Sequence, residues 1–253
     1  MSIFLNNTAS INYMLPVLAE KEAQMSYRAI IHEQNLLLKE KTQQLEQLNS
    51  SIILIVAELV ENRDRLTGEH IKRTTKYLEI LIDAMLERKV YANELQNWDK
   101  EVAIASAQLH DVGKIAISDL ILNKSSRLTK EEYEQIKTHA TVGEQIIDSM
   151  IIQTNGSVFL HHAKYFAGYH HEHWDGSGYP YGLKEDHIPL HGRIMAIVDV
   201  YDALVSERVY KQALSHEEAV SIIMSEKSKH FDPKIADVFF EVHNNFQSEA
   251  KKI

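Results

Sequence analysis

The chain contains no cysteine. That excludes a disulfide framework and a thiolate metal site, so any metal has to be held by nitrogen and oxygen. Glycine and proline are scarce, 9 and 4 in 253 residues, which argues against a loop-rich all-β fold. The longest apolar run, Ile52 to Ala57, is far too short to span a bilayer. Met1 to Asn12 lacks the basic region of a signal peptide, so a cytoplasmic location is expected. Positive charge is also short: 27 Lys and Arg against 36 Asp and Glu give a net charge of −9. Duplex nucleic acid is thereby disfavoured as a partner, because neutralising its backbone needs clustered cations. A small anionic substrate is not excluded, since bound cations can reverse the local field.

Hydrophobic residues make up 44% of the chain and charged residues 25%, enough for a real core. Histidine is abundant at 14 residues, so nitrogen and oxygen ligands are plentiful. From about Leu18 to Asn62 the sequence holds no Gly and no Pro and predicts one long helix. Asn6-Asn7-Thr8 upstream of it reads as a loop or frayed start. Ile31, Leu38, Leu45, Ile52 and Leu59 recur every seven residues, with Leu48 and Ile55 in the second seam. This suits a two-stranded coiled coil; a single helix packed on its own domain is the alternative. Downstream of Leu48, the density of apolar residues from Ile52 to Val60 favours docking on the domain.

The remainder predicts a string of helices: Glu69 to Arg88, Trp98 to His110, and segments near 141–151, 157–172, 192–208, 216–228 and 233–249. Thr129-Lys130-Glu131-Glu132 and Ser215-His216-Glu217-Glu218 have the form of capping boxes. Residues 175–192 hold four of the nine glycines and form the one long loop. No alternating strand pattern appears, so the expected class is all-α.

Several polar groups sit where a helical protein needs a reason for them. His110-Asp111-Val112-Gly113-Lys114 ends an Ala-rich apolar helix. Its imidazole and carboxylate suit divalent metals, and Lys114 could meet a phosphate. His70 shares a helix face with Arg73 and Tyr77. Asp199 lies in the otherwise apolar stretch Ile194 to Asp199, where an acid is rarely buried without a partner or a metal. Each histidine alone is more often a surface or satisfied core residue than a ligand. His161-His162 is assigned to a polar helix face, and Trp174 to packing.

Taken in order, the blocks resemble the HD-GYP family, a branch of the HD superfamily of metal-dependent phosphohydrolases. The resemblance spans about residues 52–247. It rests on Glu61-Asn62-Arg63-Asp64, Thr67-Gly68, His70 and Arg73, then His110-Asp111-Val112-Gly113-Lys114 and Lys137-Thr138-His139. It continues through His170-His171-Glu172, Asp175-Gly176-Ser177-Gly178-Tyr179-Pro180, Arg193, Asp199, Asp202-Ala203-Leu204, Arg208, Lys211 and His230-Phe231-Asp232-Pro233.

The resemblance implies an HD-type helical bundle over 52–253, preceded by a helical signalling segment over 1–51. It also implies metal-dependent hydrolysis of cyclic di-GMP to linear pGpG, with a further step to GMP left open. Phosphodiesterases for cyclic GMP-AMP, and a weakly catalytic nucleotide-binding signalling module, are the alternatives. By resemblance, His70, His110, Asp111, His139, His170, His171 and Asp199 are metal ligands, with Asp111 bridging. Lys114, Arg208 and Lys211 are similar to phosphate or substrate contacts, and Tyr179 shapes the loop beside the substrate. Asp64 is similar to a polar group assisting proton transfer; Glu172 and Arg193 resemble supports that orient ligands or the loop. Leu66 stands where some members carry a third-metal Glu, so two ions, iron or manganese, are expected rather than three. Two cations about 3.5–4 Å apart can share a phosphate and supply a nucleophile from water near neutral pH. The N-terminal helix resembles helices that join input domains to such outputs. The expectation is a homodimer through it, coupled to an upstream signalling partner.

Overall fold

The structure is a computed structural model that describes residues 5–63, 69–154, 156–207 and 212–251. Among the described residues it is all-α, with no β-strand beyond one isolated bridge, Lys227 to Phe231. The chain divides into two compact units, Met1–Ile52 and Ile53–Ile253.

Helix α1 (Leu5–Asn62) begins earlier than the sequence pattern suggests and takes in Asn6-Asn7-Thr8. Polar residues of that kind weaken a helix by only tenths of a kcal/mol each, while every residue added to a nucleated helix adds a hydrogen bond. Within the first unit the heptad residues Ile31, Leu38, Leu45, Leu48 and Ile52 are exposed, Leu38 at 66% and Leu45 at 60%. At the start of the second unit the buried stripe of α1 is a different one. Ala57, Val60 and Glu61 are buried and Ile53 is partly so, while Ile55 and Leu59 stay exposed. Positions 53, 57, 60 and 61 follow helical spacing, which puts them on one face.

The second unit is built on two apolar clusters. The larger joins α2 (His70–Glu87), α8 (Leu190–Val205) and α10 (Pro233–Ala250). There Tyr77 stacks on Phe246 at 4.8 Å and meets Tyr201 edge-on at 5.2 Å. The smaller joins Ala57 and Ile71 to Leu109, Val112, Ile147, Leu160, Ala163 and Ala167. It is closed by α6 (Lys130–Gln153) and α7 (Val158–Tyr169), which pack on each other. Short helices α3 (Ala92–Leu95), α4 (Lys100–Ser106) and α5 (Asp119–Leu122) and helix α9 (His216–Ser225) complete the unit.

The caps follow the sequence closely. Thr129 and Glu132 form a full capping box on α6, and Ser215 and Glu218 do the same on α9. The two segments expected around 130 and 141–151 are one helix, because nothing between them breaks it: Gly143 is tolerated mid-helix. The helix expected over Trp98 to His110 ends in a tight 3-10 turn at Ala107–Leu109. His161-His162 is not a uniformly polar face. His162 is buried, with Nδ1 2.7 Å from His191 Nε2, and Trp98 stacks on His191 at 4.0 Å. The buried face of α7 runs through Leu160, Ala163, Phe166 and Ala167, and His162 falls inside it while His161 falls outside.

Candidate metal centre

Six of the seven metal ligands expected from the sequence lie in two groups. His70, His110 and Asp199 bring ligand atoms within 4.8 Å of one another, and His139, His170 and His171 do the same. The seventh, Asp111, lies between the groups. Its Oδ2 is 3.3 Å from His110 Nε2, and its Oδ1 is 3.3 Å from His139 Nε2 and 3.8 Å from His170 Nε2. One carboxylate thus presents one oxygen to each group.

Local structure aims the rings. His110 Nδ1 donates to the Ala107 carbonyl at 2.9 Å, His139 Nδ1 to Ile136 at 2.6 Å, and His170 Nδ1 to Phe166 at 2.9 Å. These are carbonyls three or four residues back in the same helical segment. Each bond fixes the tautomer that leaves the Nε2 lone pair facing the centre. His139 Nε2 and His170 Nε2 are 3.3 Å apart, converging on one point. His70 is held differently, by a contact that links helices distant in sequence. Its Nδ1 lies 2.7 Å from Asp202 Oδ2, and Arg73 donates to the same carboxylate through Nε at 2.6 Å and Nη2 at 2.9 Å. In the sequence Asp202 stands only as part of the block Asp202-Ala203-Leu204. Its position three residues after Asp199, on the same face of α8, was the available signal.

Several of the inward-facing atoms have no hydrogen-bond partner. His70 Nε2, His110 Nε2, Asp111 Oδ1 and both oxygens of Glu61 are buried and unpartnered. The 3.3 Å approaches to Asp111 lack the alignment of a hydrogen bond. Five orphaned acceptors or lone pairs in one buried region need positive charge to satisfy them. The set is all nitrogen and oxygen, suited to borderline and hard divalent ions. The donor set therefore fits the metal dependence that the HD resemblance implies.

The electrostatics agree. Burial alone would favour a neutral His110, but the Asp111 charge, helped by Asp199 and the Ala107 carbonyl, raises its pKa to about 9. Burial and the neighbouring His110 charge lower His170 to about 3. Burial opposes ionisation of Asp111, but Lys114, His110 and His139 overcome it and hold the carboxyl well below its usual range. Lys114 Nζ lies 2.8 Å from Asp111 Oδ2, so its ammonium sits on the carboxylate between the groups. The same negative charge that raises His110 favours a divalent ion at its Nε2 in place of a proton.

Around this centre the long loop is tied down from several sides. Glu172 accepts from the Tyr181 and Leu183 amides at 2.7 and 2.9 Å. Tyr179 stacks on His171 at 4.6 Å, with Lys137 Nζ 5.6 Å from its ring. A Cβ at Gly178 would come within 2.2 Å of the His173 amide nitrogen and 2.5 Å of the His171 carbonyl oxygen. Arg193 supports the loop rather than the histidines: it donates to Asp186 at 3.1 Å and to Asp232, the N-cap of α10, at 2.9 Å. Asp64, Leu66, Arg208 and Lys211 lie outside the described residues.

Comparison with known proteins agrees with this architecture. The family model described as "HD domain" matches residues 47–235, and the chain belongs to that family. Within the family its motifs and relatives are of the HD-GYP kind. A "Cyclic di-GMP phosphodiesterase" of Vibrio cholerae serotype O1 is 39% identical over 242 residues, covering 95% of this chain and 49% of that protein. A "3'3'-cGAMP-specific phosphodiesterase 2" of the same organism is 35% identical over 202 residues, covering 80% and 36%. A "Cyclic di-GMP phosphodiesterase" of Thermotoga maritima is 36% identical over 218 residues, covering 83% and 55%. The chain thus spans about half the length, or less, of these relatives. The solved structure of a cyclic GMP-AMP-specific phosphodiesterase of V. cholerae shares the fold, with a TM-score of 0.51 and 20% identity. That match covers 78% of this chain and 50% of the other.

Proposed function

We propose that this chain is a metal-dependent phosphodiesterase that hydrolyses a cyclic dinucleotide, cyclic di-GMP foremost, to linear pGpG. The observation that carries the reading is Asp111, one carboxylate facing two histidine groups at once. His70, His110 and Asp199 would hold one divalent ion, His139, His170 and His171 the other, with Asp111 shared. Bound ions of this kind polarise a phosphate and make water a usable nucleophile near neutral pH. Iron and manganese suit the nitrogen-rich, sulfur-free set.

The protein's own residues supply the rest. Lys114, beside Asp111, offers a positive charge to a phosphate oxygen, stabilising charge that grows in the transition state. Tyr179, packed on His171, brings an aromatic face to the edge of the centre, where a nucleobase can stack. Arg208 and Lys211 would add cationic contacts to the substrate, and Asp64 would help to move a proton. The relatives at 39% identity carry cyclic di-GMP in their names, which puts that substrate first; the cGAMP-specific relatives at 30–35% supply the second reading. Anaerobically purified protein, with its metals counted, is expected to convert cyclic di-GMP to pGpG. Turnover of 3'3'-cGAMP alone would move the assignment to the second substrate, and nucleotide binding without turnover would indicate a receptor.

Asp202 should matter despite standing outside the ligand groups. Asp202→Ala frees His70 to rotate and is expected to weaken metal binding about 10–100-fold. It also strands the buried Arg73 guanidinium, lowering stability by about 3 kcal/mol. Manganese titration and thermal unfolding of the metal-free protein measure the two effects separately.

We further propose that the exposed heptad face of the first unit pairs with a second copy of the chain and transmits an upstream signal. Leu38→Glu with Leu45→Glu is expected to turn a micromolar dimer into a monomer in analytical ultracentrifugation. A wild-type chain that is monomeric under those conditions would remove the dimer. Among the described residues no helix is long and apolar enough to cross a membrane, and we place this chemistry in the cytoplasm.

A further inference from the structure

Glu61 belongs to neither ligand group, yet it is the least satisfied side chain near the centre. It is 5% exposed, and neither of its oxygens has a hydrogen-bond partner. It continues the buried stripe of Ala57 and Val60, and faces a small cavity whose wall includes Gln108, His110 and Asp111. An acid placed there only for packing would be a poor choice. Whether charged or protonated, it leaves polar atoms unpaired in apolar surroundings, and an aliphatic residue of similar size would pack without that cost.

What the carboxylate faces is informative. Its Oε1 is 3.8 Å from His70 Nε2, which is itself buried and unpartnered. The other nitrogen of that ring is engaged by Asp202, so the Nε2 presented to Glu61 is a lone pair. A carboxylate oxygen and a lone pair facing each other at this spacing, with no donor between them, leave room for a cation. With ligand bonds of about 2.0–2.2 Å on each side, two donors of one ion are separated by up to about 4 Å. His70 Nε2 is also 3.7 Å from Asp199 Oδ1, a similar separation on its other side.

We propose that Glu61 is a metal-binding carboxylate, an added ligand for the divalent ion held by His70, His110 and Asp199. The inference rests on the two-metal reading of the centre and deepens it. With Glu61 included, this end of the site carries two carboxylates of its own, Asp199 and Glu61, whose charge matches one divalent cation. The end formed by His139, His170 and His171 has only the shared Asp111. The two positions therefore differ in charge, and the first should be the tighter for hard, oxygen-preferring ions such as manganese.

The test is manganese binding by chelator competition, with bound metal counted, on the full chain and on Glu61→Gln and Glu61→Asp. Glu61→Gln keeps the shape but removes the charge. It is expected to weaken one of two manganese sites about 10–100-fold, with helicity by circular dichroism unchanged and the metal-free protein no less stable. Glu61→Asp, which keeps a carboxylate on a shorter stem, should lose less. Unchanged affinity at both sites in Glu61→Gln overturns the assignment and makes Glu61 a buried acid only. If Glu61→Gln does not fold, Glu61→Asp decides: wild-type affinity there, with its carboxylate withdrawn by a methylene, counts against a ligand. A wild-type chain that binds no manganese or iron would instead overturn the two-metal reading itself, so the two failures are distinct.

Discussion

Replacing Asp111 by asparagine is expected to abolish the proposed phosphodiester hydrolysis, by roughly 10³-fold or more, and to cost the centre one or both of its ions. Asparagine has the same shape but only one oxygen acceptor and no charge. In the structure Oδ2 serves the His110 side and Oδ1 the His139 and His170 side, so the substitution damages both groups at once. Several kcal/mol of transition-state charge stabilisation depend on the ions being present, which corresponds to the rate loss given. Metal counting separates this from a simple loss of a proton-transfer group. Bound metal should fall from about two ions per chain to one or none, with the helical content unchanged. An Asp111→Asn protein that keeps both ions and its turnover would remove the bridging role and leave the two histidine groups as independent sites.

The second large effect is expected from a single methyl group. Gly113 lies in the turn directly after His110 and Asp111, pressed on the backbone of α6. A Cβ built there would be 1.9 Å from the His139 carbonyl oxygen and 2.5 Å from the Gly143 amide nitrogen. Both neighbours are main-chain atoms inside a regular helix, so neither can swing aside, and the turn and α6 have to separate. Gly113→Ala should therefore destabilise the protein by about 3 kcal/mol, seen as a fall of roughly 6–12 °C in Tm. Activity should suffer more than stability, because the separation moves His139 away from Asp111. Gly143→Ala is the control. Its Cβ would meet the Ala167 methyl and the Gly113 amide nitrogen, each at 3.3 Å, contacts that shifts of a few tenths of an ångström relieve, so its effect should be much smaller. Equal, small losses from both substitutions would show that the turn is not wedged against α6.

Much of the architecture was legible in the residues. Helix starts at Thr129 and Ser215 came from side chains that bond their own neighbours, and such local chemistry does not depend on the rest of the fold. The two ends of α1 were less legible. The pattern of seven-residue spacing was plain, but so was the density of apolar residues from Ile52 to Val60. Only packing could decide which face of that stretch turns inward, and it is the face of Ile53, Ala57 and Val60 rather than the heptad. The burial of His162 is hidden from the sequence for the same reason: one residue's rotation around α7 decides between water and His191.

The candidate site divides in the same way. Composition alone restricted any metal to nitrogen and oxygen donors, and the order of the His and Asp blocks pointed to the HD-GYP resemblance. Those are properties of residue type and spacing along the chain. What tertiary structure decided is the sharing: that Asp111 stands between two groups, that Asp202 reaches across from α8 to orient His70, and that Glu61 is buried without a partner. His70 and Asp202 are 132 positions apart in the chain. No local rule relates them, because their contact exists only once α2 and α8 have buried their apolar faces against each other.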